Sequence, residues 1–179
     1  MTYYHRLGEI PPKRHTQFRQ PDGSLYAEEL VSSKGFSGIY SNLYHVFPPT
    51  RVQSIGEPVK YSVKIDKEYP LKQIHLNTSQ VGITGTDYLS ARKTLLKNND
   101  VSMSICTPSE PNMEYFYKNG EADEVIFIHD GNGWLYSQFG KLRIRQGDYV
   151  VIPRTTIYRL EWDDEPLRLL IIESSHPVE

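Results

Sequence analysis

Residues 124–153 read EVIFIHDGNGWLYSQFGKLRIRQGDYVVIP. Short runs rich in β-branched and aromatic residues, VIFIH, GWLYSQFG, KLRIR and YVVIP, are punctuated by Asp-Gly-Asn-Gly and Gln-Gly-Asp, which is the pattern of short strands joined by tight turns. Downstream, TIYRLEW at 156–162 and LRLLIIE at 167–173 continue it. Upstream, Val101 to Ile105 reads as a strand, Gln73 to Leu76 as a shorter one, and 86–98 as a helical turn or a loop. Val59, Tyr61, Val63 and Ile65 alternate with polar residues, the period-2 signature of a half-buried strand, so the sheet is expected to begin there. No long amphipathic helix and no internal repeat is visible. The fold class expected is all-β, an antiparallel sandwich or barrel over 59–179.

Residues 1–58 hold six of the chain's twelve prolines and turn signals at Asp22-Gly23, Lys34-Gly35 and Ser37-Gly38. They read as an extended, irregular N-terminal arm. Tyr3, Tyr4, Phe18, Tyr26, Phe36, Tyr40, Tyr44 and Phe47 give this arm more aromatic surface than a disordered tail carries, so it is expected to cover an apolar face. That face is either the chain's own barrel or a neighbouring subunit.

The whole chain is 179 residues, enough for one domain with a real core. A net charge of −2 removes any global attraction to nucleic acid or anionic membrane, and no run approaches the ~20 apolar residues of a membrane-spanning helix. Cys106 is the single cysteine, which excludes an intrachain disulfide and a thiolate zinc cage. With an N-terminus that carries charges and prolines in place of an apolar signal segment, a cytoplasmic location is expected.

Glu124 is followed by Gly131 seven residues on, and Gly147 by Pro153 six residues on. These spacings resemble the two motifs of the cupin superfamily, in which alternate strand positions aim His, His, Glu and a later His at a divalent metal. Here the ligand positions are otherwise filled. Counting back from Glu124 gives Tyr117 and Asn119, or Lys118 and Gly120, at the two His positions; counting on from Pro153 gives Thr155 at the motif's Gly and Tyr158 at its His. One carboxylate does not hold Fe(II) or Zn(II) against water, so Glu124 is expected to hydrogen-bond to a neighbouring strand or to face solvent.

Other chemistries find no constellation. His5, His15, His45, His75, His129 and His176 are scattered, with no pair at metal-ligand spacing. Asp130-Gly131-Asn132-Gly133 lacks the remaining oxygen ligands of a calcium loop and reads as a hairpin turn. No phosphate-binding glycine loop or nucleophile elbow is present. Cys106 reads as core, and Lys13-Arg14-His15 as a solvated basic cluster that could bind an anion. An isomerase using Tyr117 or Tyr158 as acid would need a base beside the tyrosine. No residue is assigned a catalytic, cofactor-binding or metal-ligating role.

The segments Tyr3-Tyr4-His5, Leu7-Gly8-Glu9-Ile10-Pro11, Lys13-Arg14-His15, Gly35-Phe36, Leu43-Tyr44-His45 and Pro49-Thr50 resemble the start of the bacterial homogentisate 1,2-dioxygenase family. Asn98-Asn99-Asp100-Val101, Tyr115-Phe116-Tyr117, Asn119-Gly120, Asp123-Glu124, Phe139-Gly140 and Gly147-Asp148-Tyr149 are similar to that family's first cupin domain. The resemblance implies a jelly-roll barrel within a bicupin enzyme of tyrosine and phenylalanine breakdown. In that enzyme Fe(II), held by two His and one Glu of the second cupin, opens the ring of homogentisate with O₂. It implies self-association as a trimer or hexamer, and no cofactor within the part matched here. The competing expectation is a free-standing, metal-free cupin that binds a small ligand.

Overall fold

The computed structural model describes residues 17–34, 37–49, 51–57, 63, 73–163 and 166–178. The chain divides into two compact units, Met1–Pro58 and Val59–Glu179.

The first unit is more regular than its composition suggests. β1 (Ala27–Lys34) and β2 (Ser37–His45) pair antiparallel from Ala27 opposite His45 to Lys34 opposite Ser37, with a bulge between Ser32 and Lys34. The expectation of an irregular arm is therefore corrected over this segment. Its strand signal is weak because most of β2 is exposed, so no buried face imposes alternation on it. Asp22 and Gly23 form the turn expected of them: Gly23 takes φ 85° and the Asp22 carboxylate accepts from the Ser24 amide at 2.9 Å. Phe18 packs on Tyr44 with ring centroids 4.4 Å apart. His45 Nε2 meets Glu29 Oε2 at 2.9 Å across the ladder. Ile39, Tyr40 and Phe47 are exposed, Phe47 to 79%.

The second unit is a two-layered jelly roll. Its strands are β3 (Arg92–Lys97), β4 (Val101–Cys106), β5 (Tyr117–Lys118), β6 (Asp123–Asp130), β7 (Gly133–Ser137), β8 (Gly140–Ile144), β9 (Tyr149–Ile152), β10 (Ile157–Trp162) and β11 (Arg168–Ser174). One sheet runs β3-β4-β11-β6-β9 and the other β5-β10-β7-β8, and every pairing is antiparallel. The all-β jelly-roll expectation stands, as two facing sheets. The core lies between them, where alternate residues meet: Ile126 and Ile128 of β6, Leu169 and Ile171 of β11, Leu135 of β7, Tyr158, Leu160 and Trp162 of β10. In β10 the alternation is complete, every second side chain being buried.

Several local readings are corrected. Residues 86–98 begin with a single turn, closed by the Ala91 amide on the Asp87 carbonyl at 2.9 Å, but 92–97, read as part of the same turn or loop, form β3. Gln73 to Leu76 forms no strand. The strand expected at 59–65 lies outside the described residues except for Val63, which is not in a strand. Asp130–Gly133 is not a hairpin turn, because β6 and β7 belong to different sheets; it carries the chain across the sandwich. Gly131 takes φ 110° there, and a Cβ on it would fall 2.9 Å from Leu167. Among the described residues no helix is long and apolar enough to cross a membrane.

The end of the sandwich is tied by Asp123. Its carboxylate accepts from the Arg154 amide at 3.0 Å, the Arg154 Nε at 2.9 Å and the Val178 amide at 3.1 Å. Burial pushes this carboxyl up, but the two amides and the guanidinium outweigh it and hold it below the ordinary range. A group whose pKa is lowered by folding stabilises the fold at pH values above its unfolded pKa, and the contribution fades as pH falls through the folded one. Asp123→Asn is therefore expected to lower the urea midpoint at pH 7 and to differ little from the parent well below about pH 4. Urea titrations at several pH values check it. A midpoint difference that persists undiminished at low pH would assign the loss to geometry instead.

Candidate functional site

A polar cluster sits inside the hydrophobic sandwich, and local turn chemistry delivers its members. Asp87 opens a tight turn: its carboxylate accepts from the Leu89 amide at 2.8 Å and from the Tyr115 hydroxyl at 2.9 Å, and its carbonyl from the Ala91 amide at 2.9 Å. The turn fits only because Gly85 lacks a side chain, since a Cβ there would lie 2.6 Å from the Ala91 nitrogen. It turns Tyr88 inward and leads straight into β3, whose first residue is Arg92. The guanidinium carbon of Arg92 lies 4.5 Å from the Tyr88 ring centroid and 5.2 Å from that of Tyr117.

Arg92 then meets partners from both sheets. Its Nη1 donates to Glu124 Oε1 at 2.6 Å and lies 3.5 Å from Glu173 Oε1. Its Nη2 donates to the Tyr158 hydroxyl at 3.2 Å. The Tyr158 hydroxyl donates in turn to Glu124 Oε2 at 2.8 Å and lies 3.1 Å from the Tyr88 hydroxyl. Ser102 and Asn119 donate to the two oxygens of Glu173 at 3.1 and 2.9 Å. Glu124, Tyr88 and Tyr158 are wholly buried.

Such a charge pair survives out of water only when its remaining hydrogen-bonding positions are filled, as they are on both Glu124 oxygens. Burial disfavours the charge on Arg92, but the surrounding phenols and Glu124 more than compensate, and the guanidinium stays protonated. Burial raises the phenols of Tyr88 and Tyr158 well above their ordinary value, and that of Tyr117 to about 12. All three are neutral hydrogen-bonding groups at physiological pH. The arrangement is a buried ion-pair network in which both Glu124 oxygens are engaged and the three phenols serve as neutral hydrogen-bonding groups.

The turn positions support the motif register read from spacing. Gly131 and Gly147 have φ 110° and 89°, and Thr155, at the position of the motif's Gly, has φ 68°. It is the sole non-glycine with positive φ among the described residues. A β-branched side chain there costs on the order of 1–2 kcal/mol. Thr155→Gly is expected to raise the melting temperature by about 1–4 °C, the relief being partly offset by the freer unfolded chain. A thermal melt checks it. A fall would show that the threonine side chain contributes more than its strain costs.

The profile of the family described as homogentisate 1,2-dioxygenase N-terminal matches residues 11–177. The chain belongs to this family. It is 38% identical over 173 residues to a provisionally named dioxygenase of Saccharolobus solfataricus, covering 97% of this chain and 44% of that protein. It is 26% identical over 187 residues to homogentisate 1,2-dioxygenase of Rhodopseudomonas palustris, covering 93% and 40%. The chain thus spans less than half the length of these curated relatives. Among solved structures, a cupin protein of Bacteroides fragilis superposes with a TM-score of 0.41 at 18% identity, over 60% of this chain and 85% of that one.

For a member of the homogentisate dioxygenase N-terminal family, the fate of each residue singled out in the sequence is now visible. Against the expectation of a hydrogen bond to a neighbouring strand or exposure to solvent, Glu124 is buried and bonds to Arg92 on β3 and Tyr158 on β10, neither of which pairs with β6. Tyr117, Asn119 and Tyr158 do converge with it, Asn119 through Glu173. Lys118 and Gly120, the other register, take no part in the network. Cys106 is buried, its Sγ 3.4 Å from the Tyr88 carbonyl and its thiol pushed up to about 12 by burial. His129 packs edge-on against Phe127 with centroids 4.6 Å apart, and His75 and His176 are exposed. Lys13, Arg14, His15 and His5 lie outside the described residues. Among the described residues, no three His, Cys, Asp or Glu converge as a metal-binding group. Arg92, Tyr88 and Glu173 were not legible as site residues. The one available signal was the period-2 alternation that puts Glu124 on the face of Ile126 and Ile128.

Proposed function

We propose that this chain is the N-terminal cupin of a homogentisate 1,2-dioxygenase-like protein, a support and assembly domain with no iron site of its own. Its family membership and its dioxygenase relatives support the dioxygenase context. The observation that carries the metal-free reading is the state of Glu124. The iron implied by the family needs two imidazoles and a carboxylate with free lone pairs. The corresponding positions here hold two phenols, an amide and a carboxylate already engaged by Arg92 and Tyr158, a donor set that does not fit Fe(II). In this reading Fe(II), homogentisate and O₂ belong to a second cupin. Of the aromatics at 36–47, Phe36 lies outside the described residues, and the exposed Tyr40, Tyr44 and Phe47 are a candidate surface for the trimer or hexamer contacts.

Oxygen-electrode traces of this chain with Fe(II) and homogentisate test the proposal, together with the iron content of the purified protein. Uptake at the level of the iron-only control and no retained iron are expected. Homogentisate-dependent uptake above that control would overturn the reading. Saturable homogentisate binding without turnover would instead favour the free-standing, ligand-binding cupin.

A further inference from the structure

We propose that the Arg92 guanidinium is a built-in cation standing where this fold would hold its metal, and that it clamps the two sheets together through Glu124 and Tyr158. The inference rests on the metal-free reading above and goes beyond it, because a barrel could lack a metal without any residue taking the metal's place.

The register makes the coincidence of position specific. The turns at Gly131, Gly147 and Thr155 fix Glu124 and Tyr158 as ligand positions, and of the two registers open for the remaining pair the structure turns Tyr117 and Asn119 inward and leaves Lys118 and Gly120 exposed. Three of the four meet one guanidinium, and the fourth, Asn119, reaches it through Glu173. Glu124 and Tyr158 accept from it directly at 2.6 and 3.2 Å, Tyr117 offers its ring face at 5.2 Å, and Asn119 orients Glu173, which lies 3.5 Å from Nη1.

The replacements are chemically coherent. A divalent metal needs lone pairs at about 2.0–2.2 Å, whereas a guanidinium is a planar fork of N–H donors that needs acceptors and ring faces. Phenols supply both an acceptor oxygen and an electron-rich ring face, whereas an imidazole ligated to a metal has no acceptor nitrogen left. The clamp also has the right reach. Arg92 and Glu124 lie on β3 and β6 of the five-stranded sheet, Tyr117 and Tyr158 on β5 and β10 of the other. One side chain thus takes the role of a central ion that bridges the layers.

Two measurements on this chain test the clamp. The first is a double-mutant cycle of Arg92→Met and Glu124→Leu read by urea unfolding. Each single variant is expected to lower the midpoint by about 1–2 M, because it strands a buried charge, and the pair to return to within about 0.5 M of the parent. Additive losses would overturn the clamp. The second places Tyr117→His, Asn119→His and Tyr158→His in the chain with Arg92 kept or changed to Ala, and follows Co(II) binding by its visible absorption. Binding is expected only when Arg92 is removed. Equal binding with and without Arg92, or none in either, would remove it from the metal's place. If the imidazole variants fail to fold, the cycle still decides between clamp and independent residues. Co(II) or Fe(II) bound by the parent chain would instead refute the metal-free reading itself, which keeps the two failures distinct.

Discussion

Tyr158→Phe is expected to lower the unfolding free energy by about 2–4 kcal/mol, although it deletes a single oxygen and opens almost no cavity. That oxygen is the hub of the buried network. It donates to Glu124 at 2.8 Å, accepts from Arg92 at 3.2 Å and contacts the Tyr88 hydroxyl at 3.1 Å. Without it a buried carboxylate oxygen loses its donor and a buried guanidinium nitrogen its acceptor, and groups left bare in low dielectric cost more than the bonds contributed. The ring itself keeps its edge-to-face contacts with Tyr88 and Tyr117. Urea unfolding at constant m-value measures the loss. A change below about 0.5 kcal/mol would mean that water enters and replaces the hydroxyl.

Leu169→Ala is expected to cost about 2–5 kcal/mol, a fall of roughly 5–15 °C in melting temperature. Leu169 is fully buried on β11, which runs between β4 and β6 in the middle of its sheet. Neighbours fixed in ladders on both sides relax little around a lost isobutyl group, so the cavity persists. Leu170 lies on the opposite face of the same strand and is only half-buried. Leu170→Ala is expected to cost well under half as much, and parallel thermal melts of the two variants check the contrast. Equal losses would show that the outer face of this sheet is as tightly packed as the inner one.

The strands of the C-terminal half were legible because their signals are local. VIFIH, YVVIP and TIYRLEW alternate against a buried layer, and Gly131 and Gly147 mark turns where positive φ is required. β3 escaped notice because RKTLLK lies at a sheet edge and opens on a buried arginine, which no apolar pattern announces. The β1-β2 hairpin escaped for the opposite reason, having little buried face to pattern at all. The turn at Asp130–Gly133 was recognised as a turn, but its role was not, since whether a strand pairs with its successor or crosses to another sheet depends on partners far along the chain.

By itself, then, the order of residues determined an all-β antiparallel sandwich or barrel, the glycine turns at 131 and 147, and the absence of imidazoles at either register of the motif positions. These depend on period-2 spacing and turn residues, interactions that reach only a few positions along the backbone. Only the tertiary structure decided what Glu124 does. Its partners Arg92 and Tyr158 stand 32 and 34 residues away and Glu173 is 81 from Arg92, so nothing local links them. Closing the two sheets removes water from all of them at once, and a carboxylate denied water must find a cation and a donor within reach.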